Sequence, residues 1–204
     1  NKVFCRSSFS PANPEGTRSG SGDTRADFSD ASMRDGSWRE ALHHPDRPPP
    51  PGEPVLQALH RHALPCGLSG EMLSAMEEGW VALLLAPRLD DRAALADHAA
   101  LRGGRLFELA AMLVGGSEGA AAAGEGWALA DLSRRLSDEE GQRTARAMAA
   151  DRLAGWRIPA RAGAARSLYA LAALAREEVV GRDTARRYGP AHQLRFLWYR
   201  FIGK

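Results

Sequence analysis

Between Leu73 and Leu113, large apolar residues recur three or four positions apart, which is the spacing of one face of an α-helix. Apolar residues along the chain are mostly alanine and leucine, whereas valine and isoleucine are scarce. Alanine and leucine favour helices, while β-branched residues favour strands. No stretch shows the sustained alternation of apolar and polar residues that marks a half-buried strand. The sequence therefore predicts an all-α protein.

Capping residues, glycines and prolines divide the chain into seven or eight predicted helices. We expect Ser69, then Asp90 or Asp91, and then Ser137 to serve as helix N-caps. The longest helix should carry one apolar stripe, made of Leu95, His98, Leu101, Leu106, Leu109, Met112 and Leu113. The predicted helices cover approximately residues 33–44, 53–64, 71–85, 91–114, 119–136, 138–154, 164–178 and 191–202.

The first 31 residues differ in composition from the rest of the chain. They are rich in serine, glycine, aspartate and arginine, so they cannot bury enough apolar surface to offset the entropy of ordering. We expect residues 1–31 to be a disordered or non-native leader and residues 32–204 to form one helical domain. The leader does not have the basic and apolar regions of a secretory signal, and no run of about 18 apolar residues predicts a transmembrane helix.

Charge and cysteine content narrow the classes of partner and compartment. The formal net charge is +2, and most arginines are interspersed with aspartate and glutamate. A nucleic-acid binder would show a basic patch or stripe, so we expect no nucleic-acid partner. The two cysteines are too few for a disulfide framework, which favours a reducing compartment. The expected location is therefore the cytoplasm.

Three stretches, in this order, resemble motifs of the squalene/phytoene synthase family. Residues 33–42, with Trp38, are similar to its "MR…WR(D/E)AL" helix. Residues 89–113 are similar to the segment around its "VAGSVG" motif, which here reads Arg102–Leu106. Residues 124–135 align with its "QLTNILRD" helix. The chain is closest in character to the shorter, degenerate branch, which includes a mitochondrial complex I assembly factor.

The resemblance implies an isoprenoid synthase-like helical bundle, here truncated at its N-terminus. Active members of the family join two prenyl diphosphates, and they use Mg²⁺ held by two aspartate-rich motifs. In this chain the first aspartate of the second motif falls on Arg135, and its partner falls on Glu139. The first motif would lie in the polar leader, where the one literal DxxxD, Asp23 to Asp27, sits in glycine- and serine-rich sequence.

These departures predict a protein with no catalytic residue, no metal site and no cofactor. Mg²⁺ is bound by carboxylate oxygens, so the positively charged side chain of Arg135 disfavours Mg²⁺ binding at this position. We therefore expect a family-like binding or assembly factor that lacks prenyl transferase activity. The alternative is an active Mg²⁺-dependent prenyl transferase of isoprenoid biosynthesis, whose first motif is absent from this chain or unrecognisable.

Six residues are candidates for a substrate-binding pocket that would take a prenyl diphosphate or a lipid. Five of them also have a structural interpretation: the tryptophans as core anchors, the histidine as a core or groove residue with satisfied hydrogen bonds, and the arginines as a solvated face. The candidates are Trp80, His98, Trp127, Asp131, Arg134 and Arg135.

The C-terminal segment combines aromatic and basic residues. Four aromatics lie between His192 and Lys204, and six basic residues follow Gly181 against one acidic residue. A helix of this kind can lie on an anionic membrane, which would place the protein at the periphery of the inner membrane. It could instead pack its aromatics on the bundle with its arginines outside. A protein partner is the third interaction that the sequence leaves open.

Overall fold

The computed structural model describes residues 53–116, 118–181 and 189–202, with the backbone alone for residues 191 and 192. Every regular element within these ranges is helical, so the all-α prediction is confirmed there. Predictions for residues 1–31, for the helix over 33–44 with Trp38, and for Asp23 to Asp27 lie outside the described residues. The chain divides into two compact units, residues 1–74 and 75–204.

The described part of the first unit contains two short helices, α1 (Pro54–Ala58) and α2 (Gly70–Ser74). A π turn (Leu59–Ala63) and a 3-10 turn (Leu64–Cys66) follow α1, and Gly67, at φ +94°, ends this segment. The Ser69 cap is confirmed, because the Met72 N–H donates to Ser69 Oγ at 3.1 Å.

The second unit is a helical bundle in which α6 is the central element. This helix packs against α5, a π turn, α7 and α8, and α9 packs against α8. No described helix is long and apolar enough to cross a membrane. The helices are α3 (Glu78–Leu85), α4 (Arg92–His98), α5 (Arg105–Leu113), α6 (Ala120–Arg135), α7 (Glu139–Leu153), α8 (Arg166–Val179) and α9 (Pro190–Phe201), with a π turn (Ala99–Gly104) between α4 and α5.

Two aspartates supply the caps of α4 and α7. Asp91 caps α4 by accepting from the Ala93 N–H at 2.9 Å, whereas Asp90 pairs with Arg88 at 2.8 Å. The prediction that Ser137 caps the next helix is wrong. Asp138 does so instead, accepting from the Gly141 N–H at 2.6 Å. A carboxylate at this position also interacts favourably with the positive end of the helix dipole.

The single long helix predicted over 91–114 is interrupted by the π turn. Within that turn the Arg105 N–H bonds to the Ala100 carbonyl, five residues back. Beyond the turn the predicted apolar stripe is confirmed at Leu109, which is buried, but it is wrong at Met112 and Leu113, which are exposed. Phe107, outside the predicted stripe, is buried. One series of residues four apart is buried along the whole segment: Leu95, Ala99, Gly103, Phe107 and Ala111.

The π turn crosses α6 at a pair of glycines. A Cβ added at Gly103 would overlap the Gly124 carbonyl oxygen, and a Cβ added at Gly124 would overlap the Gly103 carbonyl oxygen. The absence of a side chain at Gly103 and Gly124 therefore allows the backbones of the π turn and α6 to approach each other closely. The main core cluster of this unit contains these large side chains: Leu95, Phe107, Leu129, Leu132, Leu153 and Tyr169.

Candidate functional site

Five of the six candidate pocket residues line one small cleft in the second unit. Trp80 comes from α3, His98 from the end of α4, and Trp127, Asp131 and Arg135 from α6. The cleft has a volume of about 30 Å³. Pockets for drug-sized ligands measure roughly 300–1,000 Å³, so this cleft is much smaller than such a pocket.

Helical spacing explains why α6 contributes three of these side chains. Trp127, Asp131 and Arg135 are four residues apart, so they lie along one face of α6. Trp127 is partly buried against Phe107, with 5.5 Å between the ring centroids. The apolar end of the cleft is thus fixed by core packing, and its polar end lies at the last turn of α6.

His98 is the most buried polar residue of the cleft, with 3% of its surface exposed. Its Nδ1 lies 3.0 Å from the carbonyl oxygen of Gly79. Because a carbonyl can only accept, Nδ1 must carry the proton. The Trp80 and His98 rings pack in a T-shaped arrangement, with 4.6 Å between the centroids. The structural interpretation of His98, as a groove histidine with a hydrogen-bond partner, is therefore confirmed.

Burial lowers the pKa of His98, since the charged imidazolium would lose its hydration in this cleft. The Gly79 hydrogen bond raises that pKa, Arg102 lowers it and Asp131 raises it, but burial is the largest effect. We expect His98 to contribute stability that is fully present above about pH 6.5, the pKa of an unfolded-state histidine. This contribution should be lost as the pH falls from there through the lowered folded-state pKa. Urea unfolding measured at a series of pH values tests the expectation.

The matched control for this pH series is His98→Asn. An asparagine side chain can keep the N–H donor to Gly79 but does not titrate. The free energy of unfolding of the variant should therefore fall less on acidification than that of the wild-type chain. An identical pH dependence in the two proteins would show that other groups cause it.

The polar end of the cleft is occupied by ion pairs within α6. Asp131 Oδ1 accepts from Arg134 Nη2 at 2.5 Å, and Asp131 Oδ2 accepts from Arg135 Nε at 2.7 Å. Arg134 also donates through Nη1 to Glu178 on α8, at 3.0 and 3.1 Å. The one carboxylate of the cleft is thus already held by two guanidinium groups.

Two sequence-based assignments need correction, and one residue was missed. Arg134 does not line the cleft, because its side chain is directed to Glu178 and to the Ala130 carbonyl. Trp80 is not a core anchor, since 41% of its surface is exposed at the mouth of the cleft. Arg102 lines the cleft and was missed. Its position four residues after His98 was the available signal for it.

A second cleft of about 230 Å³ lies beside α8 and is lined by Ala154, Arg157, Arg176, Glu177 and Val180. No pattern in the sequence indicates this cleft. Arg157 and Arg176 each donate to the Trp156 carbonyl oxygen at 2.9 Å. Part of the donor capacity of both guanidinium groups is therefore committed to the fold.

Comparisons with known protein families, curated proteins and solved structures found no match for this chain. The resemblance to squalene/phytoene synthases therefore remains a prediction from the motifs. Among the described residues, no three histidine, cysteine, aspartate or glutamate side chains come together as a candidate metal site.

Proposed function

We propose that this protein is a squalene/phytoene synthase-like helical protein that binds or assembles other molecules and has no prenyl transferase activity. The observation that carries the proposal is the pairing of Asp131 with both Arg134 and Arg135. In the motif that the sequence resembles, carboxylates at this end of the helix hold Mg²⁺. Here the neighbouring positions supply cations, which neutralise the one carboxylate instead of recruiting a metal.

The end of α6 supports the proposal in a second way. Two carboxylates four residues apart share a face only when one helix contains both. Arg135 is the last residue of α6 and Glu139 is the first residue of α7, and Leu136 between them is extended at ψ 140°. Positions 135 and 139 therefore do not form an i, i+4 pair on one helix, whichever residues occupy them.

The volume of the cleft favours binding through surfaces over enclosure of a substrate. A prenyl diphosphate needs an apolar cavity many times larger than the space between Trp80 and Trp127. A binding or assembly protein needs no such cavity, because partner proteins and lipid surfaces are contacted from outside.

An activity assay tests the proposal directly. We expect the purified chain to release no diphosphate from farnesyl or geranylgeranyl diphosphate in the presence of Mg²⁺, with an active phytoene synthase assayed in parallel. Calorimetry should detect no Mg²⁺-dependent binding of either compound. Turnover or tight binding would establish the alternative, an active prenyl transferase.

The variant Arg135→Asp serves as a matched control, because it restores the aspartate of the family motif. We expect this variant also to show no Mg²⁺-dependent binding, since residue 139 lies on the next helix. A gain of Mg²⁺-dependent diphosphate binding in the variant would contradict the argument from the end of α6.

A further inference from the structure

One side of α9 attaches this helix to the bundle. Tyr199 is buried and Phe196 packs beside it, both against the Ala170, Ala173 and Leu174 cluster of α8. The Tyr199 hydroxyl donates to Glu177 Oε1 at 2.5 Å. These contacts fix the rotation of α9 about its axis and so determine which of its residues face outward.

The opposite side of α9 is an exposed apolar stripe, formed by Leu194, Leu197, Trp198 and Phe201. These positions follow the i, i+3, i+4, i+7 pattern of one helix face. Their surfaces are 66%, 47%, 55% and 72% exposed, respectively. Single exposed apolar residues are ordinary, whereas a contiguous stripe of them marks an interaction surface.

Two arginines lie at the edges of this stripe. At about 100° per residue, Arg195 falls on one side of it and Arg200 on the other. Arg200 has its guanidinium 5.6 Å from the centre of the Phe201 ring, and Arg195 lies 3.6 Å from Glu177. The sequence from Gly181 onward has six basic residues and one acidic residue. The exposed stripe therefore lies in a strongly basic part of the chain.

We propose that the exposed stripe of α9 docks onto an anionic membrane surface, with the helix lying in the plane of the lipid head groups. Apolar side chains then enter the acyl boundary, while the arginines at the edges reach the lipid phosphates. The 12 residues of α9 span about 18 Å, which is shorter than the roughly 30 Å hydrocarbon core, so this helix lies on the bilayer and does not cross it. The inference does not depend on whether the protein is catalytic.

Vesicle binding tests the proposal. We expect the full chain to sediment with vesicles of phosphatidylcholine mixed with phosphatidylglycerol, and much less with phosphatidylcholine alone. Added salt should weaken the binding, because it screens the arginines. Trp198→Ser with Phe201→Ser should lower the partition coefficient about 100-fold, since two exposed aromatic side chains no longer enter the bilayer.

Two further variants test whether vesicle binding depends specifically on α9. Leu84→Ser with Leu85→Ser removes leucines of α3 that are 81% and 78% exposed, and it should leave vesicle binding unchanged. Arg200→Gln keeps the apolar stripe and should weaken binding to the anionic vesicles about fivefold. Circular dichroism spectra should show that all three proteins remain folded, because every substituted side chain lies on the surface.

The proposal is overturned if the wild-type chain does not sediment with anionic vesicles. It is also overturned if the Trp198/Phe201 variant binds as the wild type does, or if the α3 variant loses as much binding. Analytical ultracentrifugation completes the test: a wild-type dimer that the α9 substitutions dissociate, without vesicle binding, would assign the stripe to a second copy of this chain.

Discussion

Replacing Gly124 with alanine is expected to lower the free energy of unfolding by about 3 kcal/mol. The added methyl group would overlap the Gly103 carbonyl oxygen and would lie 2.8 Å from the Phe107 Cβ. Because the nearest atom belongs to the backbone of the π turn, no rotamer change can relieve the clash. In a helix free of such contacts the same substitution would stabilise the chain by about 1 kcal/mol, so the sign of the effect tests the crossing.

Urea unfolding followed by far-ultraviolet circular dichroism measures this effect, and two other glycines calibrate it. Gly155→Ala should change the stability by no more than about 0.5 kcal/mol, because nothing lies within 4 Å of the added atom. Gly126→Ala should also be destabilising, since the added atom would overlap Cγ of Leu153, which is fully buried. A neutral or stabilising Gly124→Ala would disprove the close approach of the π turn to α6.

Replacing Arg134 with methionine is expected to cost about 2 kcal/mol of stability. The substitution removes donors from the carboxylates of Asp131 and Glu178 and from the Ala130 carbonyl. The Glu178 side chain is largely buried, so water compensates only in part for the lost donors. The expected cost is below that of a fully buried ion pair because a quarter of the Arg134 side chain is exposed.

Arg135→Met is the matched control for this substitution. Arg135 is mostly exposed and pairs with the same aspartate, so its loss should cost about 0.5 kcal/mol. The double variant Arg134→Met with Glu178→Met should recover part of the loss, because both partners of the buried pair are then apolar. Equal costs at positions 134 and 135 in chemical denaturation would mean that the contact between α6 and α8 contributes little.

Local signals predicted most helix boundaries. The described helices α6, α8 and α9 begin and end within about two residues of the predicted bounds, because glycine, proline and alanine-rich patterns act locally. Capping was harder to assign where two polar residues are adjacent. Asp91 and Asp138 take the caps, and the choice depends on backbone geometry that the sequence does not display.

The candidate site was predicted in part, because its residues are spaced along helices. Trp127, Asp131 and Arg135 share a face of α6, as their four-residue spacing indicates. The exposure of Trp80 and the turn of Arg134 toward Glu178 depend on how α3 and α8 are placed against α6. Such placement arises from tertiary packing, which no local pattern specifies.

The π turn has a consequence for how this chain tolerates insertions and deletions. An α-helix advances by about 100° per residue, so residues four apart drift by about 40° and would spiral away from one neighbour over several turns. The extra residue that a π turn accommodates offsets this drift, so Leu95, Ala99, Gly103, Phe107 and Ala111 are all buried although they lie four apart. Because the π turn holds about one residue more than an α-helical turn, losing one residue within Ala99–Gly104 would restore an α-helical turn and leave Phe107 in the core.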